Sequence, residues 1–385
     1  MGCRICKHIS SEKEIKISTF KDSSNIMTGN SRKQKLINSK LKISDIKPQI
    51  EKPKGTIIPF EKFKELIPKD IIENEVKIGN DFENSEKNPN HFIYDPIELS
   101  NGAIYYGEWN NNNLRMSGKG KMYLPKQNIY ANGNWKDGNF YYGTIYSKDF
   151  IYNGDIANNT YNGYGTLKNK IENKTYEGNF KNGLKEGKGK LTFPDKSEYS
   201  GYFENDKISG EGEFYWANGD YYKGYFKNQI FHGEGDLKIK NGSKYKGQFS
   251  YGKFHGKGVF QWKNGDKYDG YYSYGKKEGC GEYTFKNGNV YKGEWFGNKP
   301  HGKGNFETKN NIYYISMRNG RIFETDKQKN GHEDFNFTFN WMNEDIDISK
   351  LRYLNVRVLN SSIFNSQNKE MKPIEEDVKS LNRNV

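Results

Sequence analysis

The first six residues, Met-Gly-Cys-Arg-Ile-Cys, carry the side chains best suited to a covalent reaction. Removal of Met1 would expose Gly2 for N-myristoylation, and the thiols of Cys3 and Cys6 would then be available for palmitoylation. A single myristoyl chain binds a membrane only weakly, because each buried CH₂ contributes about 0.8 kcal/mol, so durable anchoring needs a second signal. The sequence therefore predicts lipidation at Gly2, Cys3 and Cys6.

Basic side chains follow these residues and would add an electrostatic attraction to the same membrane. They are Arg4, Lys7, Lys13, Lys16 and Lys21. Each basic residue close to an anionic leaflet contributes roughly 1 kcal/mol. The combination resembles the doubly acylated N-termini of Src-type kinases, in which Gly-Cys leads and a second cysteine may follow. That resemblance implies an anchor on the cytosolic face of a membrane.

Cys3 and Cys6 also allow other chemistry. A Cys-x-x-Cys pair can be half of a zinc site, with His8 as a third ligand, but no fourth ligand is placed and the other cysteine, Cys280, lies inside a repeat. A redox pair needs a βαβ context that the sequence does not show. A chance Met-Gly-Cys on a flexible tail is the remaining alternative. We expect no metal and no cofactor, and three cysteines favour a reducing compartment over a disulfide framework.

The rest of the chain offers no catalytic constellation that we recognise. Its Gly-x-Gly pairs lack the third glycine and the strand–turn–helix context of a nucleotide loop, and no Gly-x-Ser-x-Gly or His-Glu-x-x-His occurs. His232, His255 and His301 recur at multiples of 23 residues. Such a row could bind a metal, although a structural role of histidine at the repeat's turn explains it more simply. We therefore expect a protein that is not an enzyme.

A 23-residue repeat dominates the sequence. A Tyr-x-Gly-x-aromatic core recurs with tyrosine two residues before each glycine, and looser copies at Gly107, Gly133 and Gly154 precede it. The predicted structural residues are Tyr176, Gly178, Tyr199, Gly201, Tyr222, Gly224, Tyr245, Gly247, Tyr268, Gly270, Tyr291, Gly293 and Trp295. Each copy ends in a Gly-x-Gly element, for example Gly256 and Gly258. An internal repeat of this length predicts a stacked array.

Each repeat is predicted to form two short strands. Tyr268, Gly270 and Tyr272 fall on one face of a strand because side chains alternate. A ring can lie flat only over a neighbour that lacks Cβ, so we expect the glycines to make room for an aromatic ring of the adjacent strand or repeat. Asn-Gly pairs such as Asn218-Gly219 predict tight turns. Gly247→Val should destabilise such an array through overpacking.

These residues resemble the MORN repeat, the "membrane occupation and recognition nexus" motif. Its Tyr-x-Gly-x-Trp/Phe and His-Gly-x-Gly elements stand in "YKGEWFGNKPHGKG", which begins at Tyr291. The resemblance covers residues 101–322. It implies an all-β fold, an elongated, twisted antiparallel β-hairpin array of about nine 23-residue repeats. Families with this repeat serve as scaffolds, adaptors or dimerisation modules, so the resemblance also allows a homodimer.

The composition suggests four segments. Residues 1–55 form a basic, flexible tail, and residues 56–100 a linker in which Phe60, Phe63 and Ile67 share one helical face. That helix is predicted to cap the first repeat or to dock a partner. Residues 101–322 form the array, and 323–385 a small C-terminal β appendage with alternating Phe335, Phe337, Phe339 and Trp341.

Two functions compete. The first is a membrane-anchored scaffold that recruits cortical, ciliary or cytoskeletal proteins through the array, at the plasma membrane, cell cortex or cilium. The alternative is direct binding of anionic phospholipid, such as a phosphoinositide, by repeat lysines, since residues 101–322 hold 34 Lys+Arg against 22 Asp+Glu. We expect no nucleic-acid partner, because the aromatic rings stand opposite glycines, as packing rings would.

Overall fold

A computed structural model describes residues 55–78 and 90–327 of the 385-residue chain. The lipidation residues Gly2, Cys3 and Cys6, the basic residues Arg4 to Lys21 and the predicted strand around Phe335 lie outside the described residues. The predictions made for them therefore stay predictions, as do the boundaries of the four segments.

The described residues form two short helices and 23 strands. Helix α1 is Phe60–Leu66 and helix α2 is Lys69–Ile78. The strands are β1 Thr56–Ile57, β2 His91–Ile93, β3 Ile97–Glu98, β4 Ile104–Asn110, β5 Met116–Leu124, β6 Ile129–Lys136, β7 Asn139–Tyr146, β8 Phe150–Ala157, β9 Thr160–Asn169, β10 Lys174–Lys181, β11 Leu184–Thr192, β12 Glu198–Glu204, β13 Lys207–Tyr215, β14 Tyr221–Lys227, β15 Ile230–Lys238, β16 Lys244–Ser250, β17 Lys253–Gln261, β18 Lys267–Ser273, β19 Lys276–Thr284, β20 Val290–Phe296, β21 Lys299–Glu307, β22 Ile312–Arg318 and β23 Arg321–Lys327.

The strands form one open antiparallel sheet of successive hairpins, so the predicted all-β hairpin array is confirmed. Each strand from β4 to β14, and again from β18 to β23, pairs antiparallel with the next. The sequence region predicted as a linker also contributes strands, because β1 pairs with β3, and β2 and β3 pair with β4.

The chain divides into two compact units. The first unit takes the chain up to Asn228 together with Glu234–Lys246 and Phe260–Asp266. The second unit takes Gln229–Gly233, Gly247–Val259 and the chain from Lys267 onward. Three of the boundaries therefore fall inside β15, β16 and β17, and the other two fall just before β15 and just before β18.

Two kinds of turn alternate along the sheet. Within a hairpin, two residues with positive φ join the strands, as Asn205 (φ 49°) and Asp206 (φ 68°) do between β12 and β13. This is the tight two-residue turn whose twist matches that of the strands. Between hairpins, the loop from Trp216 to Asp220 closes with Gly219 at φ +92°. Asn-Gly pairs such as Asn218-Gly219 thus join successive hairpins, whereas the pairs at the hairpin turns vary, from Asn205-Asp206 to Asn182-Gly183.

The helices pack on one face of the first unit's sheet. Phe63, Ile67 and Ile71 are buried in a single cluster with residues of β4 to β7. The sheet residues of that cluster are Ile104, Tyr123, Tyr130 and Tyr146. The helical face predicted from Phe60, Phe63 and Ile67 therefore lies across the strands of several hairpins and not over the first repeat alone.

Candidate interaction surfaces

The repeat tyrosines form the core of each unit, and those of the first unit lie on the sheet face opposite the helices. Tyr176, Tyr199, Tyr222, Tyr245, Tyr268 and Tyr291 are each at most 1% exposed. The ring of Tyr199 meets Phe203 of its own strand and Phe226 of the next repeat edge to face, each at 5.2 Å between centroids. Tyr176 does the same with Phe180 and Phe203, at 5.0 Å. Edge-to-face pairs of this kind add to the energy of area burial and link each repeat to the next.

The ring of a core tyrosine lies along its own strand, so that its hydroxyl reaches a backbone carbonyl three residues later. The hydroxyl of Tyr199 donates to the backbone carbonyl of Tyr202 at 3.0 Å, and that of Tyr268 donates to the carbonyl of Tyr271 at 3.1 Å. The ring then lies over the next strand's glycine, so a Cβ on Gly212 would come within 2.5 Å of Cε2 of Tyr199. Burial is the main reason why the pKa of Tyr199 is raised well above its usual value. The hydroxyl is therefore satisfied and stays protonated inside the core.

The glycines of the core pair with one another. Gly178 stands directly opposite Gly189, Gly201 opposite Gly212, and Gly293 opposite Gly304. Gly224, Gly270 and Gly247 occupy the same place in their repeats, and Gly247 is buried. A Cβ on Gly178 would lie 2.5 Å from Cα of Gly189, so neither member of the pair can carry a side chain without movement. Trp295 is 2% exposed and its indole N–H donates to the carbonyl of Gly281 at 3.3 Å.

The histidines of the repeat stand beside aromatic rings. His255 lies 5.1 Å from Tyr274, His232 lies 6.5 Å from Tyr251, and His301 lies 5.8 Å from Phe296. Within residues 55–78 and 90–327 no group of three or more His, Cys, Asp or Glu side chains is arranged to hold a metal ion. His232, His255 and His301 therefore lie beside aromatic rings near the hairpin turns, whereas His91 pairs with Glu108 at 2.8 Å.

The opposite sheet face carries a row of side chains that crosses the strands. We define the tyrosine row by direct cross-strand pairing within the first unit. In order, it consists of Ile104, Tyr123, Tyr130, Tyr146, Ile151, Lys168, Thr175, Thr192, Glu198, Tyr215 and Tyr221. The helices cover the start of this row, and its end is open, with Tyr215 48% exposed.

Further exposed tyrosines stand on the open part of this face. Tyr164, Tyr202 and Tyr225 are each between 42% and 53% exposed. The hydroxyl of Tyr164 donates to Glu177 at 2.9 Å, and Lys188 lies 5.5 Å from the ring centroid of Tyr202. Tyrosine is enriched at protein interfaces relative to the rest of a protein's surface. Sequence reasoning missed this surface, although the 23-residue spacing of Tyr202 and Tyr225 is visible in the sequence.

A second surface lies at the hairpin turns of the second unit, and we call it the tip edge. Its exposed rings are Tyr251, Tyr274 and Phe296, which are 66%, 57% and 61% exposed. The exposed lysines Lys253, Lys276 and Lys299 follow these rings closely. The tips stand side by side, because the backbone N–H of Gly275 donates to the carbonyl of Phe254 at 2.8 Å and that of Gly320 donates to the carbonyl of Pro300 at 2.8 Å.

The two helices of the described residues are too short and too polar to span a bilayer.

Comparison with known proteins identifies the repeat. The MORN repeat family model matches six consecutive segments, residues 176–198, 199–221, 222–244, 245–267, 268–290 and 291–311. MORN repeats are a non-catalytic repeat family that is generally linked to membrane or protein-interaction scaffolding. No curated protein matches the chain.

Two solved structures are similar to this chain. The wild-type TCP10 domain of Danio rerio CPAP has 12% identity and a TM-score of 0.25, covering 60% of this chain and 88% of that one. The SAS-4 (dCPAP) TCP domain of Drosophila melanogaster, in complex with a proline rich motif of Ana2 (dSTIL), has 10% identity and a TM-score of 0.18, covering 62% and 98%. At these TM-scores neither likeness bears on fold or function. The MORN family model, by contrast, matches residues 176–311 of this chain as six consecutive repeats.

Proposed function

We propose that this chain is a non-enzymatic scaffold, held on the cytosolic face of a membrane by acyl chains on its N-terminus, that recruits cortical, ciliary or cytoskeletal proteins through its repeat array. The observation that carries the proposal is the open sheet face of the first unit. Its exposed tyrosines, among them Tyr202 and Tyr225, lie on the side of the sheet that the core tyrosines do not use.

The core and this face are independent of each other in composition. The core tyrosines, the other buried aromatic residues and the paired glycines lie on the opposite face, so the packing of that core does not use the exposed tyrosines. Tyrosine is among the residues that contribute most when a protein interface forms. A sheet of this kind offers a rigid surface whose side chains can vary from one repeat to the next, which suits a scaffold.

The membrane anchor rests on the sequence. Myristate on Gly2 and palmitate on Cys3 and Cys6 would supply two or more chains, and the basic residues from Arg4 to Lys21 would add attraction to an anionic leaflet. Together they would place the array at the plasma membrane, the cell cortex or a cilium.

The anchor is tested by metabolic labelling with alkyne myristate and alkyne palmitate, followed by membrane fractionation. Wild type, Gly2→Ala and Cys3→Ala/Cys6→Ala are compared. We expect label and membrane association in the wild type, and loss of both in Gly2→Ala. An unlabelled wild type that stays in the soluble fraction would contradict the anchored scaffold and leave a soluble adaptor.

A second candidate is direct binding of an anionic lipid surface by repeat lysines, and the tip edge favours it. Exposed Tyr and Phe rings beside lysines match the aromatic and basic residues that lie at the boundary between lipid headgroups and water. Tyr251 with Lys253, and Tyr274 with Lys276, place one ring and one cation on each tip. The rings project from turns, so they fit a flat surface better than a peptide.

This candidate is tested with recombinant, unacylated full-length protein and vesicles. Co-sedimentation with phosphatidylcholine vesicles is compared with that of vesicles containing phosphatidylserine or a phosphoinositide. Binding by the tips requires anionic lipid, falls with salt, and is weakened by Tyr251→Ser/Tyr274→Ser/Phe296→Ser. The matched control is Tyr202→Ser/Tyr225→Ser, which changes exposed tyrosines on the other surface and should bind as the wild type does. No binding to anionic vesicles would exclude the candidate.

A further inference from the structure

The helices show how this sheet face accepts an apolar partner. Tyr130 and Tyr146 stand directly opposite each other on β6 and β7, with ring centroids 5.9 Å apart and an interplanar angle of 47°. Both are 0% exposed, and they belong to one buried cluster with Phe63, Ile67 and Ile71 of the helical segment. A pair of tyrosines on the row is thus a seat for an amphipathic helical segment.

The row contains a second such pair, and neither of the helices within residues 55–78 is part of a buried cluster with it. Tyr215 and Tyr221 stand directly opposite each other on β13 and β14, with ring centroids 4.7 Å apart and an interplanar angle of 41°. Tyr221 precedes Gly224 by three residues, as Tyr130 precedes Gly133. The second pair therefore repeats the residue types of the first and their spacing from the repeat glycines. It differs in that it joins two successive hairpins, its rings lie closer together, and Tyr215 is 48% exposed.

Polar residues separate the two pairs. Along the row, Lys168, Thr175, Thr192 and Glu198 lie between Ile151 and Tyr215. These polar residues separate the second pair from the apolar cluster under the helices. The second pair is accordingly a separate seat and not the unoccupied end of the first.

Charges hold the second pair in place. Glu213 accepts a hydrogen bond from the hydroxyl of Tyr215 at 2.9 Å and pairs with Lys223 at 2.8 Å. The hydrogen bond from Lys223, which has the larger effect, and the one from Tyr215 both lower the pKa of the Glu213 carboxyl. The ammonium of Lys238 lies 5.3 Å from the ring centroid of Tyr221. The rings are therefore fixed from the side, while the exposed surface of Tyr215 is left for a partner.

We propose that Tyr215 and Tyr221 form the docking seat for an amphipathic helix of a partner protein, seated as the helical segment is seated on Tyr130 and Tyr146. The inference rests on the proposed scaffold function and names the class of its partner. An extended strand of a partner cannot add to the sheet here, because neither strand is at an edge. β13 is hydrogen-bonded to β12 and β14, and β14 lies between β13 and β15. A partner must therefore dock through side chains. On the covered part of this face, the apolar side chains of Phe60, Phe63 and Ile67 already do so.

The probe for the test is a fluorescently labelled peptide of residues 56–78, titrated into recombinant full-length protein and followed by anisotropy. We expect saturable binding that Tyr215→Ser/Tyr221→Ser weakens at least about tenfold, as loss of central aromatic contacts does. Tyr271→Ser/Tyr314→Ser, which changes exposed tyrosines of the second unit, is the matched control and should bind as the wild type does. A peptide carrying Phe63→Ser should not bind.

Unfolding midpoints of both variants are measured first, so that a loss of binding is not mistaken for a loss of fold. No binding by the wild type, or equal binding by wild type and Tyr215→Ser/Tyr221→Ser, would overturn the proposal. Concentration-dependent dimerisation in sedimentation velocity that disappears in this variant would also overturn it, because a second copy would then be the occupant. The labelling experiment on Gly2 does not depend on this seat, so failure of the anchor and failure of the seat are distinguishable.

Discussion

The ring of Tyr176 lies against the backbone of Gly189 on the neighbouring strand, while its hydroxyl donates to the carbonyl of Asn179 at 2.8 Å. A Cβ on Gly189 would come within 2.5 Å of Cε2 of the ring. The first glycine of the same Gly-x-Gly element, Gly187, has a different reason to be there, because its φ is +71° and only the Asn179 side chain lies near its missing Cβ, at 3.8 Å. In this Gly-x-Gly motif, Gly189 is thus required because the Tyr176 ring fills the place of a side chain. Gly187 is required because of its backbone conformation.

Substitution by alanine and by asparagine should separate these two reasons. Gly189→Ala overpacks the core, at a cost of about 1–3 kcal/mol, and Gly189→Asn should cost more because the side chain is larger. Gly187→Ala forces alanine into the left-handed region, at about 1–2 kcal/mol, whereas Gly187→Asn should cost less because asparagine visits that region. Thermal unfolding midpoints of the four variants check this crossover. The same rank order of Ala and Asn at both positions would contradict the assignment.

A second prediction concerns the contacts that join one repeat's turn to the next. The carboxylate of Asp220, 5% exposed, accepts a hydrogen bond from the backbone N–H of Lys240 at 2.9 Å. Ser197 does the same for Ala217 at 3.0 Å, and Ser243 for Lys263 at 3.1 Å. Asp220→Ala should therefore destabilise the first unit by about 1–3 kcal/mol, because the amide of Lys240 loses its partner.

The neighbouring repeats supply the matched control for that prediction. Serine already accepts the equivalent hydrogen bond at positions 197 and 243, so Asp220→Ser should retain most of the stability that Asp220→Ala loses. Hydrogen exchange of the Lys240 amide should be faster in the alanine variant and close to wild type in the serine variant. Equal destabilisation by both substitutions would show that the carboxylate matters for another reason.

Sequence patterns predicted the hairpin array because its determinants are local. Tyrosine and glycine two residues apart place a ring and a bare position on one face of a strand, and the spacing of 23 residues repeats that unit. The contacts of Asp220 and Ser197 were not predicted, because they depend on the offset between successive turns, which no single repeat contains. The two-residue turns were also missed, since pairs such as Asn205-Asp206 vary between repeats while Asn-Gly recurs.

The position of the helical segment shows the same limit. The spacing of Phe60, Phe63 and Ile67 predicts an apolar helical face, and the structure has a helix there. Which sheet face it covers, and how many strands, depends on Tyr130 and Tyr146, which are far away in the chain and lie off the repeat's Tyr-x-Gly register. The second repeat has Ala131 two residues before its glycine, and Tyr130 stands one residue earlier, on the face that the helices cover.

Removal of the helical contact gives a third prediction. Phe63 is 1% exposed within the cluster of the first unit, so Phe63→Ala should cost about 3–5 kcal/mol and expose Tyr130 and Tyr146. A lower unfolding midpoint together with increased binding of a hydrophobic dye would check this. The control is Glu61→Ala, which removes an exposed ion pair with Lys64 and should change stability by less than about 1 kcal/mol. A midpoint unchanged in Phe63→Ala would contradict the packing.

The buried tyrosines predict that the array loses stability in alkali. Burial is the main cause that raises the pKa of Tyr176, Tyr199, Tyr222, Tyr268 and Tyr291 well above the usual value near 10. Above pH 10 the unfolded chain loses these protons while the folded chain keeps them, so the unfolded state binds fewer protons. The free energy of unfolding then falls as pH rises, by up to about 1.4 kcal/mol per pH unit for each tyrosine, and these groups add no slope below pH 10.

The measurement is a pair of pH titrations, one of circular dichroism and one of tyrosinate absorbance in the near ultraviolet. The buried tyrosines should ionise together with the loss of β structure, as one cooperative step. Tyr199→Phe tests the sign at one position: it loses a hydrogen bond worth about 1 kcal/mol at neutral pH, yet its stability should fall less steeply with pH because one ionising group is gone. Ionisation of all tyrosines with the β signal intact would mean that the rings are accessible to hydroxide. That result would contradict the burial of the repeat tyrosines in the core.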